Sequence, residues 1–130
     1  MKINKLFNGL KHIANGDYVL EGDLISEETI EIDLDNRLVI KGTIKSGRNI
    51  VARCSIKAGW GIKAGGGIEA GDGIEAKTFI NASKRIFAGI SLYRTSKDCN
   101  KIIRCAELRS GEICYGDLTI TENGGSPDES

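Results

Sequence analysis

One proline and one histidine stand in the entire sequence, aromatic residues make up 5% of it, and its net charge is zero. Each scarcity excludes something. A lone histidine, His12, cannot supply a multi-histidine metal centre. With 18 basic against 18 acidic residues, composition gives no case for nucleic acid or an anionic membrane as partner. No apolar run is long enough for a membrane span, and "MKINKLFNGLKHIANGDYV" lacks the core of a signal peptide. The expectation is a cytoplasmic protein with no membrane contact. In that reducing setting Cys54, Cys99, Cys105 and Cys114, which form no C-x-x-C pair, read as small buried hydrophobes rather than as disulfides or metal ligands.

What is abundant is glycine, 17 residues, and it falls in register with aliphatics. "IKAGWGIKAGGGIEAGDGIEAKTF" (56–79) repeats an aliphatic every six residues with a small residue two places later. The beat runs through Ile32, Leu38, Ile44, Ile50, Ile56, Ile62, Ile68, Ile74, Ile80, Ile86 and Leu92. Neither a helix nor a simple hairpin sheet has this period. It predicts an all-β fold, a parallel β-helix (β-solenoid) of hexad repeats with about three hexads per coil. In each short strand the residues at i and i+2 point inward and the one between them outward. Three aliphatic ladders follow: Ile32/Ile50/Ile68/Ile86, Leu38/Ile56/Ile74/Leu92 and Ile44/Ile62/Ile80. Corner glycines are expected to supply positive φ. Stacked outward pairs should include Lys57 with Glu75 and Lys45 with Lys63.

Residues 1–121 form a single solenoid domain in this reading. Leu6, Phe7, Leu10 and Ile13 have helical spacing, with Asn4 as N-cap and Gly16 as stop, so residues 4–15 are expected to be a short helix capping the first coil. Hexad coils occupy 17–97, an irregular coil 98–121, and a polar disordered tail 122–130.

The "G-I-x-A" and "VLEGDLI…LVIKGTI" runs resemble the bactofilin-type, polymer-forming β-solenoid proteins of bacteria. They are also similar to uncharacterised hexad-repeat solenoid proteins of Firmicutes and their phages. The resemblance spans about residues 17 to 121 and implies a right-handed triangular coil. The left-handed hexapeptide helix of acyltransferases differs, since it places its small residue at i+4, where this chain carries Arg48, Cys54, Trp60, Gly66, Asp72, Thr78 and Lys84.

Acyl transfer on a solenoid uses a histidine base beside a projecting loop. His12 precedes the repeats, and no insertion breaks the hexads. The three-histidine zinc site of solenoid carbonic anhydrases is ruled out by the same count. "GWGIKAGGGIEAGDG" lacks the lysine-serine or lysine-threonine end of a phosphate loop. Outward Lys57, Lys63, Glu69, Glu75 and Asn81 are unlike the threonine ladders of ice-binding solenoids. Arg48, Arg53, Arg85, Arg94, Arg104 and Arg109, with Trp60, Phe79, Phe87 and Tyr93, would suit nucleic acid, but Glu69, Asp72 and Glu75 interrupt them in sequence. No catalytic, cofactor or metal residue is assigned. The candidate interface residues are Trp60, Phe87 and Tyr93. The expected function is a non-enzymatic, self-associating scaffold, hence a homo-oligomer. The alternative is a small phage- or mobile-element-type binding protein that inhibits a host protein, for example a defence nuclease, by occlusion.

Overall fold

The structure, a computed structural model, describes residues 1–90 and 101–121. Its strands begin with β1 (Lys2–Ile3), β2 (Lys11–His12), β3 (Tyr18–Leu20), β4 (Leu24–Ser26) and β5 (Ile30–Ile32). The next coils supply β6 (Leu38–Ile40), β7 (Ile44–Ser46), β8 (Ile50–Ala52), β9 (Ile56–Ala58), β10 (Ile62–Ala64), β11 (Ile68–Ala70) and β12 (Ile74–Ala76). The last four are β13 (Phe79–Ala88), β14 (Ile102–Cys105), β15 (Glu107–Tyr115) and β16 (Asp117–Ile120).

All of these strands but β2 stack in parallel on three faces, giving the β-solenoid that the hexads imply. The first face runs β3, β6, β9, β12, β14, β16. The second runs β4, β7, β10 and the start of β13. The third runs β1, β5, β8, β11 and the end of β13. Strand β13 turns the corner between the second and third faces without a break and so fuses them into one sheet. Isoleucine and alanine alternate inward across the middle coils, and the ladder Ile50, Ile68, Ile86 is sealed from solvent. Each such side chain contributes about 1.5–3 kcal/mol of burial free energy.

The coil length is 18 residues where the hexads are strict, as in Ile44 on Ile62 on Ile80. Between the first two coils it is 20, as in Leu24 on Ile44. One ladder assignment is therefore corrected. Ile30, not Ile32, lies beside Ile50, and Ile32 lies beside Ala52 on the small-residue track. Two extra residues at the following corner absorb the difference, with Leu34 buried there. The unbroken count of six from Ile32 to Leu38 concealed this shift. Leu92 lies outside the described residues, and Ile103 takes the position beside Ile74.

The glycine reading is corrected too. Among the described residues positive φ is confined to Gly9, Gly16, Gly22, Gly89, Gly111 and Gly116, none of them a hexad corner between strict coils. Gly59 is needed because a Cβ there would overlap the carbonyl of Lys41 in the coil below. Corners stack backbone on backbone: Trp60 N donates to Gly42 O at 3.1 Å and Thr78 N to Trp60 O at 2.8 Å.

The expected capping helix over 4–15 is absent; no helix occurs among the described residues. The segment is a chain of turns ending in β2, which pairs antiparallel with β3. Its Asn-Gly pairs explain the failure, since Gly9 and Gly16 take φ of +88° and +97° and break any helical register. The first coil also presents unpaired edge amides and carbonyls, which a helix cannot satisfy. Strand β1 does so: Glu31 N donates to Met1 O at 2.8 Å and Asp33 N to Ile3 O at 2.7 Å. Of the four apolar residues meant to face the core, Phe7 and Leu10 pack on it, whereas Leu6 is 91% exposed and Ile13 43%.

Candidate functional site

The two ends of the solenoid differ in finish. At the N-terminal end β1, Ile3, Phe7 and Leu10 cover the first coil. Beside them Tyr18 Oη donates to Asp35 Oδ1 at 2.8 Å, and Lys5 Nζ lies 3.0 Å from Asp35 Oδ2. The hydrogen bond from Tyr18, then that from Lys5, holds the Asp35 carboxyl below its ordinary range, while Asp35 raises the pKa of both Tyr18 and Lys5. His12 stacks flat on Tyr18, with ring centroids 4.3 Å apart. Arg37 reaches the buried Asp17 through Nη2 at 2.6 Å. Cross-coil polar bonds thus brace this end.

The C-terminal end has another repeat. From β14 onward the beat shortens to five, through Ile103, Leu108, Ile113 and Leu118. The coil shrinks with it to 15 residues, as in Ile103 beside Leu118 and Cys105 beside Ile120. Gly111 and Gly116 make its tight corners at φ of +127° and +125°, where a side chain would be strained. The last inward positions have no further strand on them among the described residues. Leu118 is 41% exposed, Ile120 55% and Tyr115, on the third face, 41%. The five-residue spacing was readable in "CAELRSGEICYGDLTIT", but a search for hexads passes over it, and these three residues were missed.

The sequence candidates are dispersed. Trp60 projects from the corner between the first and second faces, 54% exposed. Phe87 takes the outward position expected, half-buried between Glu69 and Tyr115 on the third face. Tyr93 and Arg94 lie outside the described residues. Arg53 and Arg104 are drawn to Asp33 and Glu75, and Arg109 lies over the Phe79 ring at 4.1 Å. Of the cysteines Cys105 is buried, which pushes its thiol pKa up, whereas Cys54 is half-buried and Cys114 exposed; the expectation of burial holds for the first alone, and Cys99 is outside the described residues.

This geometry defines a β-solenoid protein whose first coil is covered on two of its three faces, by β1 and β2, and whose last strands β15 and β16 carry no further strand among the described residues. Comparison with family models, curated proteins and solved structures gave no match, so the class rests on the coil geometry.

Proposed function

We propose that the protein is a non-enzymatic scaffold that self-associates end to end through its C-terminal coil. The observation carrying this reading is the contrast between ends. Among the described residues no strand lies on the outer edges of β15 and β16, and Tyr115, Leu118 and Ile120 are exposed beside them. Such an edge is a template for another strand, and apolar residues along it add a driving force of about 25 cal/mol per Å² buried. A second copy presents the same edge and the same side chains, so a two-fold, end-to-end contact is self-complementary. The likeness of the repeat to polymer-forming bactofilin-type solenoids points the same way. With β1 and β2 laid over two of the three faces of the first coil, the C-terminal coil is the favoured contact, and the expected assembly is a dimer rather than a filament.

Light scattering across concentration tests this. The expected result is a dimer that Ile120→Glu converts to a monomer, with the circular dichroism of the hexad coils unchanged. Thr119→Lys, on the outward side of the same strand, should leave the dimer intact. A wild-type monomer at every concentration would overturn the scaffold and favour capture of a different protein, the inhibitory reading. An oligomer indifferent to Ile120→Glu would place the contact elsewhere.

A further inference from the structure

Charge is segregated on this neutral protein. In its three middle coils the second face with its two corners comprises residues 41–49, 59–67 and 77–85, bordered by the acidic first-coil stretch 21–29 on one side and by Glu107 and Glu112 of β15 on the other. The three middle-coil segments contain seven cations, Lys41, Lys45, Arg48, Lys63, Lys77, Lys84 and Arg85, and no aspartate or glutamate. The rest of the chain is correspondingly acidic. Glu69 and Glu75, which interrupt the cations in sequence, project from the third and first faces, and Asp72 is buried at the corner between those two. The acids that interrupt these cations in sequence are therefore not among them on the middle coils.

Six of these seven cations have no carboxylate partner among the described residues. Lys57 has Glu75 at 3.7 Å on the first face, and Arg48 leans to Glu28 at 3.6 Å in the coil below. Among the described residues no carboxylate lies within ion-pair distance of the six other cations of the patch. Lys45 and Lys63 stand side by side in register on adjacent strands, about 4.8 Å apart. Like charges so placed oppose folding, and among the described residues no carboxylate pairs with either. An external polyanion would offset them.

Two aromatic groups flank the cations. Trp60 rises from one corner beside Phe79, whose ring lies across Gly61. Round the opposite corner, past Lys84 and Arg85, lies a cleft of about 770 Å³ with Phe87 in its wall and Glu69 and Glu112 at its border, so the strand is placed on the Trp60 side. A row of cations beside an exposed aromatic ring, here Trp60, is the arrangement that holds the backbone and stacks a base of a single strand. We propose that the second face binds single-stranded nucleic acid, its phosphates on Lys45 and Lys63 and a base on Trp60. This is independent of end-to-end assembly, which uses the C-terminal coil.

Trp60 is the only tryptophan, so its fluorescence reports directly on the site. Titration of the full chain with oligothymidylate at low salt should quench that emission and raise the anisotropy of a labelled strand. Each lost phosphate contact lowers the salt slope by about 0.7, so Lys45→Gln/Lys63→Gln should lower it by about 1.4. Lys2→Gln/Lys11→Gln makes the same charge change away from the face and should alter neither slope nor quenching. Trp60→Ala should weaken binding about tenfold. Four outcomes overturn the proposal: no binding; equal loss in both double variants; equal quenching by polyglutamate, which would assign the face to an acidic protein; or duplex DNA bound as tightly without quenching. Dimerisation is read separately by light scattering, so either proposal can fail alone.

Discussion

The Phe79 ring lies across Gly61 of the preceding coil and fills the space a side chain would take there, while Arg109 covers the ring from above at 4.1 Å. A methyl group on Gly61 therefore meets a movable ring, whereas one on Gly59 meets the backbone carbonyl of Lys41. Gly61→Ala should destabilise by about 1–3 kcal/mol, with part of the loss recovered when Phe79→Ala is added. Gly59→Ala should be more damaging, and Phe79→Ala should not rescue it. Thermal melting of the four variants checks the order; equal losses at both glycines would refute the close approach at Gly59.

Ile74 is buried at mid-solenoid between Ile56 and Ile103. Ile74→Asp places a carboxylate where no cation can reach it and should unfold the coils, a loss of several kcal/mol. Lys63→Ser acts on the outward side and removes the repulsion from Lys45, so it should be neutral or gain a few tenths of a kcal/mol. Circular dichroism melts separate the two. Equal destabilisation would contradict the inward and outward assignment.

The coil was legible because its determinants repeat: an aliphatic at i and a small residue at i+2 fix which side is in, and a period of six fixes three faces. The Lys57–Glu75 ion pair at 3.7 Å and the Lys45–Lys63 stack follow from that count. The ends were not legible, because they break the repeat. At the N-terminal end helical spacing of Leu6, Phe7, Leu10 and Ile13 lost to two Asn-Gly turns and to the pairing needs of an edge. At the C-terminal end the period itself changed to five. The acid-free middle of the second face stayed hidden for a different reason: Glu69 and Glu75 are close to Lys63 and Lys77 along the chain but stand on other faces, and a linear charge count cannot separate them.

The register shift in the first coil has its own test. Ile30 sits beside Ile50 and Ile32 beside Ala52, both isoleucines buried. Ile30→Ala and Ile32→Ala should each destabilise by about 2–5 kcal/mol, as buried truncations do. If Ile32 instead stacked on Ile50 with strict hexads, Leu34 would lie beside Ala52, and Ile32→Val would give no relief to Ala52→Val. Here Ala52→Val crowds Ile32 and should lower the melting temperature by itself, and in combination with Ile32→Val the loss should shrink. Additive losses would argue against the contact.

The N-terminal end should respond to pH in both directions through Tyr18, Asp35 and Lys5. Asp35 is held below the ordinary carboxylate value of about 3.9 by the Tyr18 hydroxyl and then by Lys5. Its contribution is complete above that ordinary value and is lost as pH falls through the lowered one. Tyr18 and Lys5 are raised by Asp35, so their contributions are complete below their ordinary values of about 10 and 10.4 and are lost as pH rises through the raised ones. Amide exchange in β1 to β3 should therefore accelerate at both extremes while β8 to β12 remain protected. Tyr18→Phe removes the first-ranked cause of the Asp35 shift without removing the ring on which His12 stacks. In that variant the Asp35 carboxyl, followed by its carbon resonance, should titrate at a higher pH than in the wild type. An unchanged titration would mean that the Tyr18 hydroxyl does not hold Asp35, and the polar bracing of this end would then rest on Lys5 and the Arg37–Asp17 pair.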